Sequence, residues 1–141
     1  MWENMIVLGI FDRSKKRKED NKNTQSVNEW PYYVVTLDER NFDDFIQKYP
    51  LSLVDFWAPW CAPCKAMAPR LRRLSKIYNK KVAFGKLDIQ ENQYIAKKYK
   101  IMGIPHLVFF NYGKKISSIT SLKSVGYIKD TIDDILKNLK G

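Results

Sequence analysis

Short apolar runs alternate with amphipathic stretches along most of this chain. Tyr32–Leu37 is aromatic and β-branched and predicts a short strand. Asp38 or Asn41 can cap a short helix that carries Phe42, Phe45 and Ile46 on one side, and Pro50 ends it. Leu51–Trp57 (LSLVDFW) is an apolar run of strand length, the pattern of a central strand buried on both faces. From Ala62 to Tyr78 the period becomes helical, with Met67, Leu71, Leu74 and Tyr78 at steps of four, three and four. Val82–Leu87 predicts another strand, and Glu91–Lys98 a short helix with Ile95 and Tyr99 as its apolar contacts. Leu107–Phe110 and Lys115–Thr120 predict the two arms of a hairpin around the turn signal Asn111-Tyr112-Gly113. Gly126 precedes a last helix with Ile128, Ile132, Ile135, Leu136 and Leu139 on its inner face.

The predicted order is strand, helix, strand, helix, strand, helix, strand, strand, helix. Such alternation calls for an α/β fold, in which parallel neighbours are covered by helices and the closing hairpin adds an antiparallel part. No internal repeat or low-complexity block is visible. Residues 12–30 are polar, charged and nearly free of aliphatics, which reads as a linker or flexible tail. Residues 1–30 are therefore expected to form an N-terminal extension, an apolar stub and then a charged linker, with the folded domain at 31–141.

Composition adds three constraints. At 141 residues and 45% hydrophobic, the chain can build one full core without metals or a disulfide framework. Its two cysteines lie three positions apart, and clustered thiols point to chemistry rather than to stapling. The net charge of +10 falls almost wholly on residues 31–141, which hold 19 basic and ten acidic side chains. Such a surface favours acidic partners and is read here as a solvated basic face, with no specific nucleic-acid site expected. No stretch of about 20 apolar residues exists to span a bilayer. Met5–Phe11 (MIVLGIF) lacks the flanks of a secretory signal. The basic run that follows it (Arg13, Lys15, Lys16, Arg17, Lys18) suggests at most weak contact with an anionic membrane surface.

The chemistry concentrates at Cys61-Ala62-Pro63-Cys64, between the buried strand and the start of a helix. Free N–H groups and the macrodipole at a helix N-terminus favour negative charge, so a thiol there ionises more easily, and the thiolate is the nucleophile. Pro63 is tolerated in the first turn, where its missing N–H is not needed. The two-residue spacer brings the sulfurs within bonding range, so one cysteine can attack a disulfide and the other can resolve the mixed disulfide. Cys61 is the better nucleophile candidate and is expected to be exposed, with Cys64 one turn deeper and partly covered. Asp55 sits in the middle of the apolar run, where desolvation would raise its pKa and fit it to accept a proton from a buried thiol.

The segment Phe56-Trp57-Ala58-Pro59-Trp60-Cys61-Ala62-Pro63-Cys64-Lys65 resembles the active-site segment of the thioredoxin family. The likeness extends to Val54-Asp55-Phe56 as that family's buried-Asp strand and to Pro69, where its active-site helix kinks. Lys86-Leu87-Asp88 is similar to its next strand, Gly103-Ile104-Pro105 to its cis-proline loop, Asn111-Tyr112-Gly113-Lys114 to its hairpin, and Val125-Gly126 to the glycine before its last helix. The resemblance covers roughly residues 32–140 and implies a central mixed five-stranded sheet flanked by helices on both faces.

It also implies roles. Cys61 attacks, Cys64 resolves and Asp55 helps move the proton, while Trp60, Ala62, Pro63, Ile104 and Pro105 receive the substrate strand. Trp57 packs under the site and Lys86 lies near the buried carboxylate. Two positions depart from the pattern. Ala62 replaces the glycine usual between the cysteines, and His106 stands where a small hydroxyl residue is common. His106 either lies near the sulfurs or is a strand residue turned away from them, the reading favoured by strand alternation.

The expected function is thus reduction of protein disulfides by a cytoplasmic monomer. It would serve disulfide-containing clients and be recharged by a separate thioredoxin reductase-type donor. No cofactor is expected, since no G-x-G-x-x-G is present to bind a nicotinamide or flavin. Two readings compete: a disulfide oxidase or isomerase on the same fold, and a basic-surface binding module around Arg70, Arg72, Arg73, Lys76, Lys80 and Lys81. A zinc site would need four ligands, and two cysteines and one histidine fall short within one chain.

Overall fold

A computed structural model of the chain describes residues 29–140, and the expectations for the apolar stub and for most of the charged linker lie outside the described residues. The elements run β1 (Val35–Leu37), α1 (Phe42–Lys48), β2 (Ser52–Trp57), α2 (Ala62–Ile77), β3 (Ala83–Asp88), α3 (Gln93–Lys98), β4 (His106–Asn111), β5 (Lys114–Thr120) and α4 (Val125–Lys140). This is the order that the hydrophobic pattern predicts. The strands form one five-stranded sheet in the order β1-β3-β2-β4-β5. β3 pairs in parallel with both β1 and β2, and β4 is antiparallel to both β2 and β5. The run LSLVDFW is apolar because β2 lies at the centre of that order, with helices over both of its faces.

Alternation along β2 sorts its side chains between two cores. Phe56 faces Phe42 of α1, Tyr99 at the end of α3 and, from β4, Phe110, and these rings pack at tilted and edge-on angles. Leu53 belongs to the opposite face, where Met67, Leu71 and Leu74 of α2 and Ile128 and Ile132 of α4 meet Phe84, Leu107 and Phe109. The helical spacing of four and three along α2 is the stripe that covers this second face.

Three local expectations are corrected. The first strand is shorter than the aromatic run, because only Val35–Leu37 find ladder partners, Gly85–Leu87 of β3, while Tyr32 and Tyr33 are exposed. At the start of α1, Asn41 holds the cap position without a side-chain cap bond. Asp38 instead takes the backbone N–H groups of Arg40 and Asn41, and its own N–H donates to Asn41 Oδ1 at 2.8 Å. In α4, Ile128 and Ile132 are buried, Ile135 and Leu136 pack against the core from its edge, and Leu139 is exposed because the last turn lies past the core.

The hairpin between β4 and β5 closes through Tyr112 (φ 45°) and Gly113 (φ 89°), both left-handed, the backbone of a two-residue type I′ turn. A Cβ on Gly113 would also stand 2.9 Å from Gln47 Cγ. Gly113→Ala is expected to lower the unfolding free energy by about 1–2 kcal/mol in urea titrations, without changing activity per folded molecule.

Candidate active site

β2 delivers the chain to Trp57, a turn through Ala58 follows, and Cys61 becomes the N-cap of α2 in an extended conformation (φ −94°, ψ 109°). Its carbonyl accepts the N–H of Lys65 at 3.2 Å, and its sulfur accepts the N–H of Cys64 at 3.2 Å. The cysteine side chain thus occupies the place where serine or aspartate usually caps a helix. Pro63, in the first turn, has no N–H to compete for the sulfur. Cys61 and Cys64 form a disulfide with their Cα atoms 5.3 Å apart. Pro69 lies inside the helix and leaves the carbonyl of Lys65 without its usual partner four residues on.

Cys61 is buried, at 5% exposure against 3% for Cys64, which corrects the expectation that the first cysteine is exposed. Tertiary packing is the reason. Ala58, Trp57, Ile89 just after β3 and Ile104 just before β4 close around the disulfide. The part played by Ile89 could not be read from the local pattern, since its contact joins separate segments. The carbonyl oxygen of Ile104 lies 3.9 Å from Cys61 Sγ, and the Ile104–Pro105 peptide is cis. Trp60, beside the disulfide in sequence, keeps 63% of its surface exposed, and Ala62 and Pro63 are exposed on the first turn of α2. Ile104 packs against the pair from the loop before β4, Ala62 and Pro63 lie between the two cysteines in the chain, and Trp60 and Pro105 adjoin these residues in sequence.

Asp55 stands in register between Lys86 of β3 and Leu107 of β4 and is 4% exposed. Its Oδ1 has no hydrogen-bond partner among the described residues. Burial pushes its carboxyl up to about 7, and the positive charge of Lys86 opposes that rise only in part. The Lys86 ammonium sits 5.6 Å from the Trp57 ring centroid, over its face. Trp57, two residues from Asp55 on the same side of the strand, links the carboxylate region to the disulfide cluster.

His106 pairs in register with Phe56, so its side chain lies on the face covered by α1 and α3, away from Asp55. It is half-buried with Nε2 enclosed; burial first and the charge of Lys115 second lower its pKa, so its ring is neutral near pH 7. Among the described residues no group of three or more His, Cys, Asp or Glu side chains is placed to hold a metal ion. No helix among them is long and apolar enough to cross a membrane.

The thioredoxin family model matches residues 33–134. The thioredoxin of Staphylococcus saprophyticus is 38% identical over 100 residues, covering 71% of this chain and 95% of the relative. That of Buchnera aphidicola is 38% identical over 102 residues, covering 72% and 94%. Among solved structures, a thioredoxin variant from Halobacterium salinarum superposes with a TM-score of 0.70 at 29% identity, covering 74% of this chain and 92% of its own. A thioredoxin from Plasmodium falciparum superposes with a TM-score of 0.67 at 29% identity, covering 72% and 98%. A chain from a structural study of thiol resolution in a yeast mitochondrial peroxiredoxin, via glutathione and thioredoxin systems, gives 0.66 at 29% identity, covering 72% and 94%.

Proposed function

The chain belongs to the thioredoxin family and is a thiol–disulfide oxidoreductase that reduces protein disulfides, and from that premise we propose how its residues divide the work. In the reduced protein, the Cys61 thiolate attacks a client disulfide, forming the Cys61–client bond and releasing one client thiolate. Cys64 then gives its proton to the Asp55 carboxylate and attacks Cys61 Sγ. The Cys61–client bond breaks, the Cys61–Cys64 bond forms, and the second client thiolate leaves and is protonated by water. Two electrons pass from the pair to the client, and a reductase must return them.

The observation that carries this division is the hydrogen bond from Cys64 N–H to Cys61 Sγ at the start of α2. That donor and the helix dipole stabilise negative charge on Cys61, the first sulfur to need it. Asp55 suits the second step because a carboxyl titrating near neutrality can both take and release a proton at working pH. Trp60, Ala62, Pro63, Ile104 and Pro105 receive the client segment, Trp57 packs beneath the pair and Lys86 tunes Asp55. Partners are disulfide-bearing proteins and a thioredoxin reductase-type donor. The peroxiredoxin system named for one structural relative supplies a client class to try first. We place the reaction in the cytoplasm, where such a donor keeps dithiols reduced, and assign it to a monomeric domain at 31–141 with residues 1–30 as an extension.

Equilibration of the pair against glutathione or dithiothreitol tests the direction. A potential near −270 mV, the family's own value, supports a general reductant, whereas one of roughly −120 to −180 mV makes the protein an oxidant or isomerase. Cys64→Ser is expected to accumulate a stable mixed disulfide on Cys61, seen as a client-sized mass adduct that dithiothreitol removes. An adduct confined to the Cys61→Ser variant instead would reverse the two roles.

A further inference from the structure

Arg70 belongs by sequence to the basic residues of α2, but the fold gives its guanidinium a specific contact. It lies three residues after Met67 and four before Leu74, so it stands beside the buried stripe of the helix. From there Arg70 Nη1 donates to the carbonyl oxygen of Lys123 at 2.6 Å. A bond from a guanidinium to a carbonyl is charge-assisted, and the planar fork fixes direction as well as distance. The acceptor is open to it because of how α4 begins. Ser124 caps that helix: its Oγ takes the N–H of Tyr127 at 3.1 Å, a donor that would otherwise turn to Lys123, and its carbonyl takes the N–H of Ile128 at 3.1 Å.

Lys123 lies in the short loop 121–124 that leads from β5 into α4. At the other end of that loop the N–H of Ser121 donates to the carbonyl of Pro105 at 3.0 Å, one step beyond His106 and Thr120, the last pair of the β4–β5 ladder. Pro105 follows Ile104, whose carbonyl oxygen lies 3.9 Å from Cys61 Sγ. One short path thus joins the middle of α2 to the loop beside its own N-cap. Within that path Ser121 has φ 69°, a left-handed conformation that is unfavourable for a residue with a Cβ. Left unheld, Ser121 gains by relaxing out of this region, which takes its N–H off Pro105. Leu122 packs against the core on one side of Lys123, and Arg70 fixes the Lys123 carbonyl itself.

We propose that Arg70 is a positioning residue for client binding: by pinning the loop 121–124 it holds Ser121 on Pro105, and so sets the Ile104–Pro105 segment where a client strand is received. The inference rests on the reading of Ile104 and Pro105 as receivers of the client segment. The contact of Arg70 is with a backbone carbonyl, so it takes no part in the exchange of sulfurs. Its loss loosens the surface that a protein client meets and leaves the chemistry at Cys61 and Cys64 in place. A small disulfide, which makes no strand-like contacts, is indifferent to that surface.

The test is single-turnover reduction of insulin by the pre-reduced full chain, read as a half-saturating concentration and a limiting rate. Arg70→Ala is expected to raise the half-saturating concentration by about ten-fold and to leave the limiting rate within about two-fold. Arg70→Lys, which keeps a charged donor but not the fork, is expected to recover part of the loss. Reduction of dithiobis(nitrobenzoate), a small disulfide, is expected to stay within about two-fold of the wild type. Amide exchange in Arg70→Ala is expected to speed up at Ser121 by about ten-fold or more and to stay unchanged at Cys64. A merely structural staple between α2 and α4 would lower the unfolding midpoint and leave the half-saturating concentration where it is, and that result overturns the proposal. So does an equal loss with insulin and with the small disulfide, or an unchanged Ser121 amide. If Arg70→Ala does not fold, Arg70→Gln, which keeps a neutral donor on a shorter side chain, is read by the same criteria. Ile104→Ala separates the two readings. An unchanged half-saturating concentration there refutes the receiving role of Ile104, whereas a rise there with none in Arg70→Ala refutes only the positioning role.

Discussion

Cys61→Ser is expected to lower protein-disulfide reductase activity by at least about a thousand-fold while leaving the fold intact. The size follows from the position of the residue. Cys61 caps α2 and receives the N–H of Cys64, so its sulfur is the one whose negative charge the helix start stabilises. A serine hydroxyl can accept the same hydrogen bond, which keeps the cap, but it does not ionise near neutral pH and cannot exchange with a disulfide. Stability should change little against the reduced wild type, because the helix start retains a good capping side chain. Insulin-disulfide reduction with a thioredoxin reductase and NADPH reads the activity, and near-ultraviolet circular dichroism reads the fold. Full activity in a folded Cys61→Ser protein would move the function from the thiols to the basic surface.

The second large effect is the pH dependence of stability in Asp55→Asn. The Asp55 carboxyl titrates at about 7 in the folded protein against an ordinary value of 3.8, so the fold favours the protonated form. With the folded value raised, the contribution to stability is fully present below about pH 4, falls as pH rises and is lost above about pH 7. Above pH 7 the wild type carries an ionised carboxylate in a buried strand with one lysine as its charged neighbour. A shift of about three units is worth on the order of 4 kcal/mol, an upper limit because the site can relax. The asparagine variant lacks this slope. In urea unfolding of the oxidised proteins, Asp55→Asn is expected to gain several kcal/mol over the wild type between about pH 4 and pH 8. Parallel curves across that range would show that Asp55 is not held protonated by burial. The same variant is expected to slow resolution of the mixed disulfide by about ten- to a hundred-fold, the scale of a lost general base. The wild type then carries a buried ionisable group that weakens the fold at neutral pH and speeds the chemistry, a trade common at functional sites.

Much of this was legible along the chain. The steps of four and three from Met67 to Tyr78 fixed a helix and its buried stripe, and the unbroken run LSLVDFW fixed a central strand, because both patterns are local records of which faces meet the core. The carboxylate in that run was anomalous for the same reason, and the cysteines could be placed at a helix start from their position between the two patterns. Turn chemistry marked the hairpin, since Tyr112-Gly113 needs a left-handed glycine.

Periodicity is silent on which separate segments meet, and that is where tertiary structure decided the outcome. The burial of Cys61 depends on Ile89 and Ile104, 28 and 43 positions further on, folding against it. The neighbourhood of Asp55 and Lys86 exists because β3 lies beside β2 in the sheet order. The exposure of Leu139 and the shortness of β1 were set by where the core and its ladder end, not by the residues themselves. The elements, their order and the residues able to do redox chemistry could be read along the chain, since those depend on near neighbours. The access of the sulfurs, the charge state of Asp55 and the space around it depend on how distant segments exclude water, and only the packed structure decides that.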